Sequence, residues 1–246
     1  MTGILATFLR ELRAYFFSPL AYGVMTLLLL VNGGVFWLIV SFLNDPRAQF
    51  GAPLQLFFGQ TIFFWLVLLF VAPVLTMRLI SEERRSGTIE VLMTAPVTEG
   101  QVILGKYLAA LVFYVFLWAP TLIYAAIIDY HSEVDWGPIA AGYIGVVGIG
   151  ALFLAVGTFA SALSRNQLVA ATLTFAMLVP LFAFGLLENL VNSDLLKQAF
   201  SYLNLWQHMD DFGKGIVDTR QLVYYLSATV LFLFLAARSL EAKKWR

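Results

Sequence analysis

The sequence contains no cysteine among its 246 residues and only two histidines, His131 and His208. The absence of cysteine excludes disulfides, thiolate metal ligands and haem thioether bonds for this chain. The two histidines fall in different predicted loops, so a His-Glu-x-x-His zinc site and bis-histidine haem ligation are excluded as well. Several enzyme classes, those that depend on cysteine or on paired histidines, are therefore ruled out.

Charged residues are also scarce. Only 12% of the residues are charged and 61% are hydrophobic, with a mean hydropathy of +0.84. A soluble domain contains about 25% charged and about 45–50% apolar residues. Because a chain of this size cannot bury so large an apolar excess in its own core, the sequence predicts an integral membrane protein.

Six apolar segments are long enough to cross a bilayer, which requires about 20 apolar residues. None alternates apolar and polar residues as a transmembrane β-strand does. We therefore expect an all-α integral membrane protein in which residues 1–246 form a single transmembrane domain. The six predicted spans are 20–43, 57–79, 107–128, 139–163, 168–187 and 221–240.

The middles of these spans contain no Asp, Glu, Lys, Arg or His. Ion-coupled transporters, proton pumps and intramembrane enzymes normally place ionisable groups there. These classes are therefore disfavoured, and no substrate-binding or metal-binding residue is assigned.

Positive charge is distributed unequally between the two sides of the predicted bundle. Six spans place both termini on one side, and eleven of the fifteen Lys and Arg residues fall on that side. Because Lys and Arg are enriched in cytoplasmic loops, both termini are predicted to be cytoplasmic. The segment 80–106, between the second and third spans, is then a cytoplasmic insert.

Residues 1–18 have the pattern of an amphipathic helix, with Thr7, Arg10 and Arg13 on its polar face. Ser18-Pro19 separates this helix from the first span, since an interior proline removes a backbone hydrogen bond. The pattern predicts an interfacial elbow helix lying in the membrane plane. A simple extension of the first span is the alternative left open. The predicted apolar face consists of Leu5, Phe8, Leu9, Leu12, Tyr15 and Phe16.

The cytoplasmic insert begins with the charged run 82–85 and continues into an apolar helical face. Pro96 ends this helix, and Thr98-Glu99-Gly100-Gln101 has the form of a capping box that opens the helix of the third span. A charged run often only faces solvent, but the apolar face beside it has no core of its own to bury it. We expect a partner protein or the bilayer surface to cover Ile89, Leu92 and Met93.

Two further segments concern packing. The fourth span is rich in glycine and alanine, which favours close helix approach in lipid, and Pro73, Pro120 and Pro180 lie within other spans and can kink them. The segment 189–220 is too long for a tight turn and contains apolar residues at helical spacing. It predicts an outer helical hairpin that re-enters the membrane.

The sequence contains no G-x-x-x-x-G-K-[ST] phosphate loop. The chain therefore cannot bind and hydrolyse ATP by the usual P-loop mechanism. If it performs work, the energy must come from another subunit.

The segment SEERRSGTIEVLMTAPVTEGQVILGKYLAAL, which begins at Ser81, resembles the signature between the second and third spans of ABC-2 type ABC transporter permeases. Near the end of the chain, HMDDFGKGIVDTRQLVYYL is similar to the branch that contains gliding-motility and nitrous-oxide-reductase-maturation permeases. With the elbow, the six spans, the cytoplasmic coupling insert and the outer hairpin, the resemblance covers essentially the whole chain.

This resemblance implies a permease subunit that is not itself an enzyme and holds no cofactor. ATP and Mg are expected on separate ABC ATPase subunits, and export is the expected direction. The other implied partners are a second permease copy or a sister permease, membrane lipid and an accessory periplasmic or membrane protein, with no nucleic acid. The implied location is a bacterial inner membrane.

The elbow and the insert face the ATPase in that family, so the resemblance assigns docking and coupling to residues in both. Charge reversal at Arg84 and Arg85 is then expected to uncouple ATP hydrolysis from transport. The implied docking and coupling residues are Arg10, Arg13, Glu82, Glu83, Arg84, Arg85, Gly87, Thr88, Glu90, Pro96, Val97 and Thr98.

Two other functions remain open at this point. One is a mechanotransmitting ABC subunit that acts on a periplasmic or membrane partner without moving a solute. The other is an ATP-independent membrane scaffold. The absence of charge along the spans fits the first of these as well as it fits hydrophobic cargo.

Overall fold

A computed structural model describes residues 3–44, 53–87, 98–131, 134–187 and 200–242. Within these ranges the chain is helical and contains no β-strand. Six helical segments there are long and apolar enough to cross a membrane. The prediction of an all-α integral membrane protein with six transmembrane helices is confirmed.

The helices are numbered in chain order within the described ranges. A π-helical segment, Leu56–Gln60, follows α3, and a 3₁₀ turn, Ala119–Thr121, joins α6 to α7 in the third crossing. The helices are α1 Gly3–Phe16, α2 Pro19–Leu43, α3 Pro53–Gln55, α4 Ile62–Thr76, α5 Ser81–Arg85, α6 Glu99–Trp118, α7 Leu122–His131, α8 Trp136–Leu163, α9 Gln167–Leu187, α10 Leu205–Gly213 and α11 Thr219–Glu241.

Helix α1 is separate from the first transmembrane helix. Ser18 has an extended backbone (φ −89°, ψ 123°) and Pro19 begins α2, so α1 does not extend that helix. The buried face of α1 contains Thr7 and Tyr15, and a Cβ at Gly105 of α6 would lie 2.9 Å from the Cβ of Thr7. The prediction of a polar face with Thr7, Arg10 and Arg13 fits the two arginines, which are exposed, but is wrong for Thr7, because α6 covers that residue. The position of α1 in the membrane plane stays a prediction.

The segment expected as the second span, 57–79, is interrupted near its start. Gly59 has φ 80°, a conformation that glycine adopts without a steric penalty. Its carbonyl accepts a hydrogen bond from the Trp65 indole at 2.9 Å. A Cβ at Gly59 would lie 2.3 Å from the Cγ of Met209, so the kink also allows α10 to approach. The regular helix α4 begins only after this kink.

Helix α8 lies at the centre of the bundle and packs against α4, α6, α9, α10 and α11. A Cβ at Gly157 would lie 2.0 Å from the Oγ1 of Thr76 on α4, and one at Gly150 would lie 2.1 Å from the ring of Tyr114 on α6. The prediction of close helix approach along this span is confirmed.

The predicted outer hairpin, 189–220, is described only from residue 200 onward. Residues 200–203 are helical, α10 follows, and Gly215 with φ 84° reverses the chain before α11. Re-entry of this segment into the membrane stays a prediction. The end of the bundle that carries α1 and α5 is called the α1 end, and the opposite end is called the α10 end.

Candidate functional site

The short helix α5 is anchored to the central helix by its backbone. The hydroxyl of Ser161 on α8 accepts hydrogen bonds from the amides of Ile80 and Ser81, at 3.1 and 3.2 Å. The same hydroxyl donates to the carbonyl of Met77 at 3.2 Å. Because the first amides of a helix have no partner within it, Ser161 satisfies groups that would otherwise be left unpaired.

Four charged side chains join α5 to α1 and α6. The carboxylate of Glu83 lies 2.8 Å from Arg10 and 2.9 Å from Lys106. The carboxylate of Glu11 lies 2.8 Å from Lys106 and 2.9 Å from Arg10. Two cations and two anions therefore alternate around a closed ring, called here the charge cluster.

The charge cluster has a buried and an open side. The side chain of Lys106 is only 2% exposed, whereas that of Arg10 is 53% exposed. An ammonium group taken out of water requires close counter-charges, which Glu11 and Glu83 provide. The position of Lys106 beneath α1 and α5 thus depends on both carboxylates.

Burial by itself raises the pKa of Glu11, but the neighbouring Lys106 and Arg10 charges outweigh this effect and hold the pKa below its ordinary value. Glu11 is therefore ionised at neutral pH. The cluster consists of two basic and two acidic side chains, whose formal charges cancel.

The other charged residues of α5 have different surroundings. The carboxylate of Glu82 accepts a hydrogen bond from the side-chain amide of Gln167, the first residue of α9. Arg84 is half-buried, and its Nη1 has no hydrogen-bond partner among the described residues. Arg85 and Gly87 are exposed. Of the four charged residues of α5, Glu82 and Arg85 are exposed, whereas Glu83 and Arg84 are half-buried.

The predicted capping box at the start of α6 is confirmed. The Thr98 hydroxyl accepts from the amide of Gln101 at 3.3 Å, and the Gln101 side chain accepts from the amide of Thr98 at 3.2 Å. Helix α6 therefore begins at Glu99 and carries Lys106 on its second turn.

The structure brings Arg10 and Glu83 into direct contact, and it leaves Arg13 and Arg85 exposed at the same end of the bundle. The docking role of every predicted residue stays a prediction. Several predicted positions lie outside the described residues: Thr88, Glu90, Pro96 and Val97, together with Ile89, Leu92 and Met93.

A comparison with protein families addresses the identity of the chain. The model of the family described as ABC-2 family transporter protein matches residues 14–245. The chain belongs to this family. It is thus a membrane permease subunit of an ABC transporter. No curated protein matches the chain.

The sequence reasoning missed several residues of the permease's charge cluster and its surroundings. The sequence indicates Lys106 only as a positive loop residue and Ser161 only as a small residue of the fourth span, and it does not indicate Glu11 or Gln167. A lysine that directly precedes a long apolar run ordinarily extends its ammonium group into water at the membrane surface, so its position does not indicate a carboxylate partner. Its partner Glu11 is 95 residues away, and nothing in the sequence links the two.

The α10 end of the permease holds a second set of buried polar contacts. The Nδ1 of His208 lies 3.0 Å from the hydroxyl of Tyr225, and the amide of Gln221 donates to Asp211 at 2.8 Å. Burial lowers the pKa of His208, against the opposing influence of Asp211 and Asp218. These contacts fix α10 on α11.

Within the described ranges, no three His, Asp or Glu residues are grouped in a way that could hold a metal ion.

Proposed function

We propose that this ABC-2 permease is driven by separate ABC ATPase subunits that bind at its α1 end. The observation that carries the proposal is the set of side-chain links made by α5. Glu83 connects it to α1 and α6, and Glu82 connects it to α9. Together with Ser161, these contacts attach one five-residue helix to four others.

This arrangement suits the transmission of force. A displacement of α5 that separates Glu83 from Lys106 leaves a buried ammonium group partly unpaired, which is costly. Movement of α5, α1 and the start of α6 as one unit avoids that cost. An ATPase that displaces the exposed surface around Arg85 thereby moves helices that lead directly into the membrane spans.

ATP and Mg act on the ATPase subunits in this proposal. Nucleotide binding can drive the permease from one packing to another only if the ATPases bind the two packings with different affinities. The permease then pairs with a second copy or a sister permease, in a bacterial inner membrane with both termini in the cytoplasm. Export is the proposed direction, and the gliding-motility and nitrous-oxide-reductase-maturation permeases are the proposed branch.

A mechanotransmitting subunit is the second candidate. Close packing along α8, where several glycines leave no space for a Cβ, favours this candidate over a wide polar path through the chain. In this case the motion of the α1 end would reach an accessory protein at the α10 end.

Photo-crosslinking tests both ideas. A photoreactive amino acid at the exposed Arg85 should capture an ABC ATPase in intact membranes, whereas the same group at the exposed Ile216, at the α10 end, should not. Capture of a specific periplasmic or membrane protein from Ile216 would favour the mechanotransmitter. Absence of an ATPase at Arg85, with efficient capture of other proteins, would support an ATP-independent scaffold instead.

A further inference from the structure

An apolar groove runs between α2 and α4 on the side of the bundle. Both helices belong to segments able to span a membrane, so the groove opens into the hydrocarbon of the bilayer. Only aliphatic side chains and phenylalanines line it. They include Val24, Leu27 and Val31 of α2 and Phe63, Val67 and Val74 of α4.

A positive charge lies where the groove reaches the α1 end. Arg78 follows Val74 by about one helical turn, and its Nη1 donates to the hydroxyl of Ser18 at 3.0 Å, directly before α2. The guanidinium lies 5.3 Å from the centroid of the Tyr15 ring. The Tyr15 hydroxyl is itself fixed by a 2.6 Å hydrogen bond to the carbonyl of Leu75.

Arg78 has no carboxylate within ion-pair distance among the described residues, unlike Arg10 and Arg238. A guanidinium offers five N–H donors in a planar fork, and the Ser18 contact uses one nitrogen. The remaining donors suit a phosphate, which binds arginine strongly through two oxygens. The site therefore combines an apolar channel for an acyl chain with a cation at one end that no described carboxylate neutralises.

We propose that the groove between α2 and α4 binds an anionic phospholipid, with an acyl chain along the groove and the phosphate on Arg78. A second copy of the permease could cover the apolar walls, but it would need a carboxylate to neutralise Arg78. An anionic phospholipid supplies both the acyl chain that fits the groove and the negative phosphate that pairs with Arg78. The proposal does not depend on which motor drives the permease.

The absence of cysteine allows a site-specific test on the full chain in lipid vesicles. A bimane fluorophore is attached at Leu27→Cys, which replaces a groove residue that is 63% exposed. The matched control is Val230→Cys on α11, 58% exposed and away from the groove. Each labelled protein is titrated with phosphatidylglycerol or phosphatidylcholine that carries brominated acyl chains, which quench bimane on contact.

We expect half-quenching at position 27 to require about fivefold less phosphatidylglycerol than phosphatidylcholine, the factor for one arginine near an anionic lipid. Position 230 should not distinguish the two lipids. Arg78→Gln should abolish the preference at position 27. Arg238→Gln should retain it, because Arg238 already pairs with Glu241 at 2.7 Å.

Val31→Trp provides a test that leaves Arg78 unchanged. By filling the groove it should remove the phosphatidylglycerol preference at position 27. Equal quenching by the two lipids at position 27, or an undiminished preference in Arg78→Gln, would overturn the proposal. Protection of position 27 from both lipids, with normal quenching at position 230, would show that protein covers the groove and would also overturn it.

Discussion

At the level of single residues, the buried ammonium of Lys106 has the most demanding environment of the α1 end. Its two carboxylate partners come from α1 and α5, and the partner on α1, Glu11, is 95 residues away in the chain. Removing one partner of a buried ion pair is far more costly than removing an exposed one, because the remaining charge stays buried.

Lys106→Met should therefore lower the free energy of unfolding by about 3–5 kcal/mol, since Glu11 and Glu83 lose their most buried counter-charge. Denaturant unfolding in mixed micelles would measure the change. Lys214→Met is the matched control, because Lys214 is 46% exposed beside Asp210 and should show no measurable effect. Equal losses of unfolding free energy in Lys106→Met and Lys214→Met would show that the charge cluster stabilises the fold no more than an exposed ion pair does.

His208 predicts a pH dependence at the α10 end. The pKa of His208 is lowered by burial from its ordinary value of 6.5. Above that value the side chain is neutral in both the folded and the unfolded state. Below it, the unfolded state binds the proton more readily, so the packing of α10 loses stability as the pH falls from 6.5 toward the folded pKa.

Acidification from about pH 7.5 to about pH 5.5 should therefore increase hydrogen exchange of the α10 amides, once intrinsic rates are corrected. His208→Gln should remove most of this increase. His131→Gln should preserve it, because His131 is exposed and its hydrogen bond among the described residues is to the carbonyl of Ile127 in its own helix. An increase that persists in His208→Gln would assign the effect to another group.

At the level of helices, the separation between α8 and its neighbours is set by positions without side chains. A Cβ at Gly157 would lie 2.0 Å from the Oγ1 of Thr76, well inside van der Waals contact. By contrast, a Cβ at Gly34 on α2 would meet no atom of another described segment within 4 Å. Comparing Gly→Ala substitutions at these two positions therefore distinguishes the steric effect of an added Cβ from the effect of helix propensity.

Gly157→Ala should destabilise the permease by about 1–3 kcal/mol, because α4 and α8 must move apart. Gly34→Ala should be neutral or slightly stabilising, since alanine is the better helix former. Thermal unfolding of both variants in the same detergent would measure the difference. Destabilisation of similar size in both variants would contradict the packing explanation.

For the molecule as a whole, the proposed coupling depends on the surface that α5 leaves open. Arg85 is exposed, whereas Arg84 is half-buried and its Nη1 has no hydrogen-bond partner in the part of the chain that the structure describes. Charge reversal at Arg84 would therefore also disturb the packing around this half-buried side chain. The predicted loss of coupling on charge reversal at Arg84 and Arg85 is better tested at Arg85 alone.

Arg85→Glu should reduce the ATP hydrolysis that depends on the permease about tenfold, equivalent to ~1.4 kcal/mol of lost interaction with the ATPase. The rate of the assembled complex, compared with that of the isolated ATPase, is the measurement. Lys214→Glu reverses a charge at the opposite end and should leave the rate unchanged. A normal rate in Arg85→Glu would remove Arg85 from the coupling surface.

The features that could be predicted from the sequence depend on residues close together in the chain. The six spans follow from the length and hydropathy of continuous segments. The capping box at Thr98 spans four residues, and the close approach of α8 follows from its small residues. In each case the physical requirement is met within one helix, so one stretch of sequence contains the signal.

The sequence by itself thus determined the membrane environment, the number of spans and the start of α6. Only the tertiary structure decided the partners of Lys106, the burial of Thr7, and the kink at Gly59 against Met209. The physical reason is that ion pairs and steric contacts depend on distance in space. Residues 73 and 95 positions apart meet in the charge cluster because the bundle brings α1, α5 and α6 together.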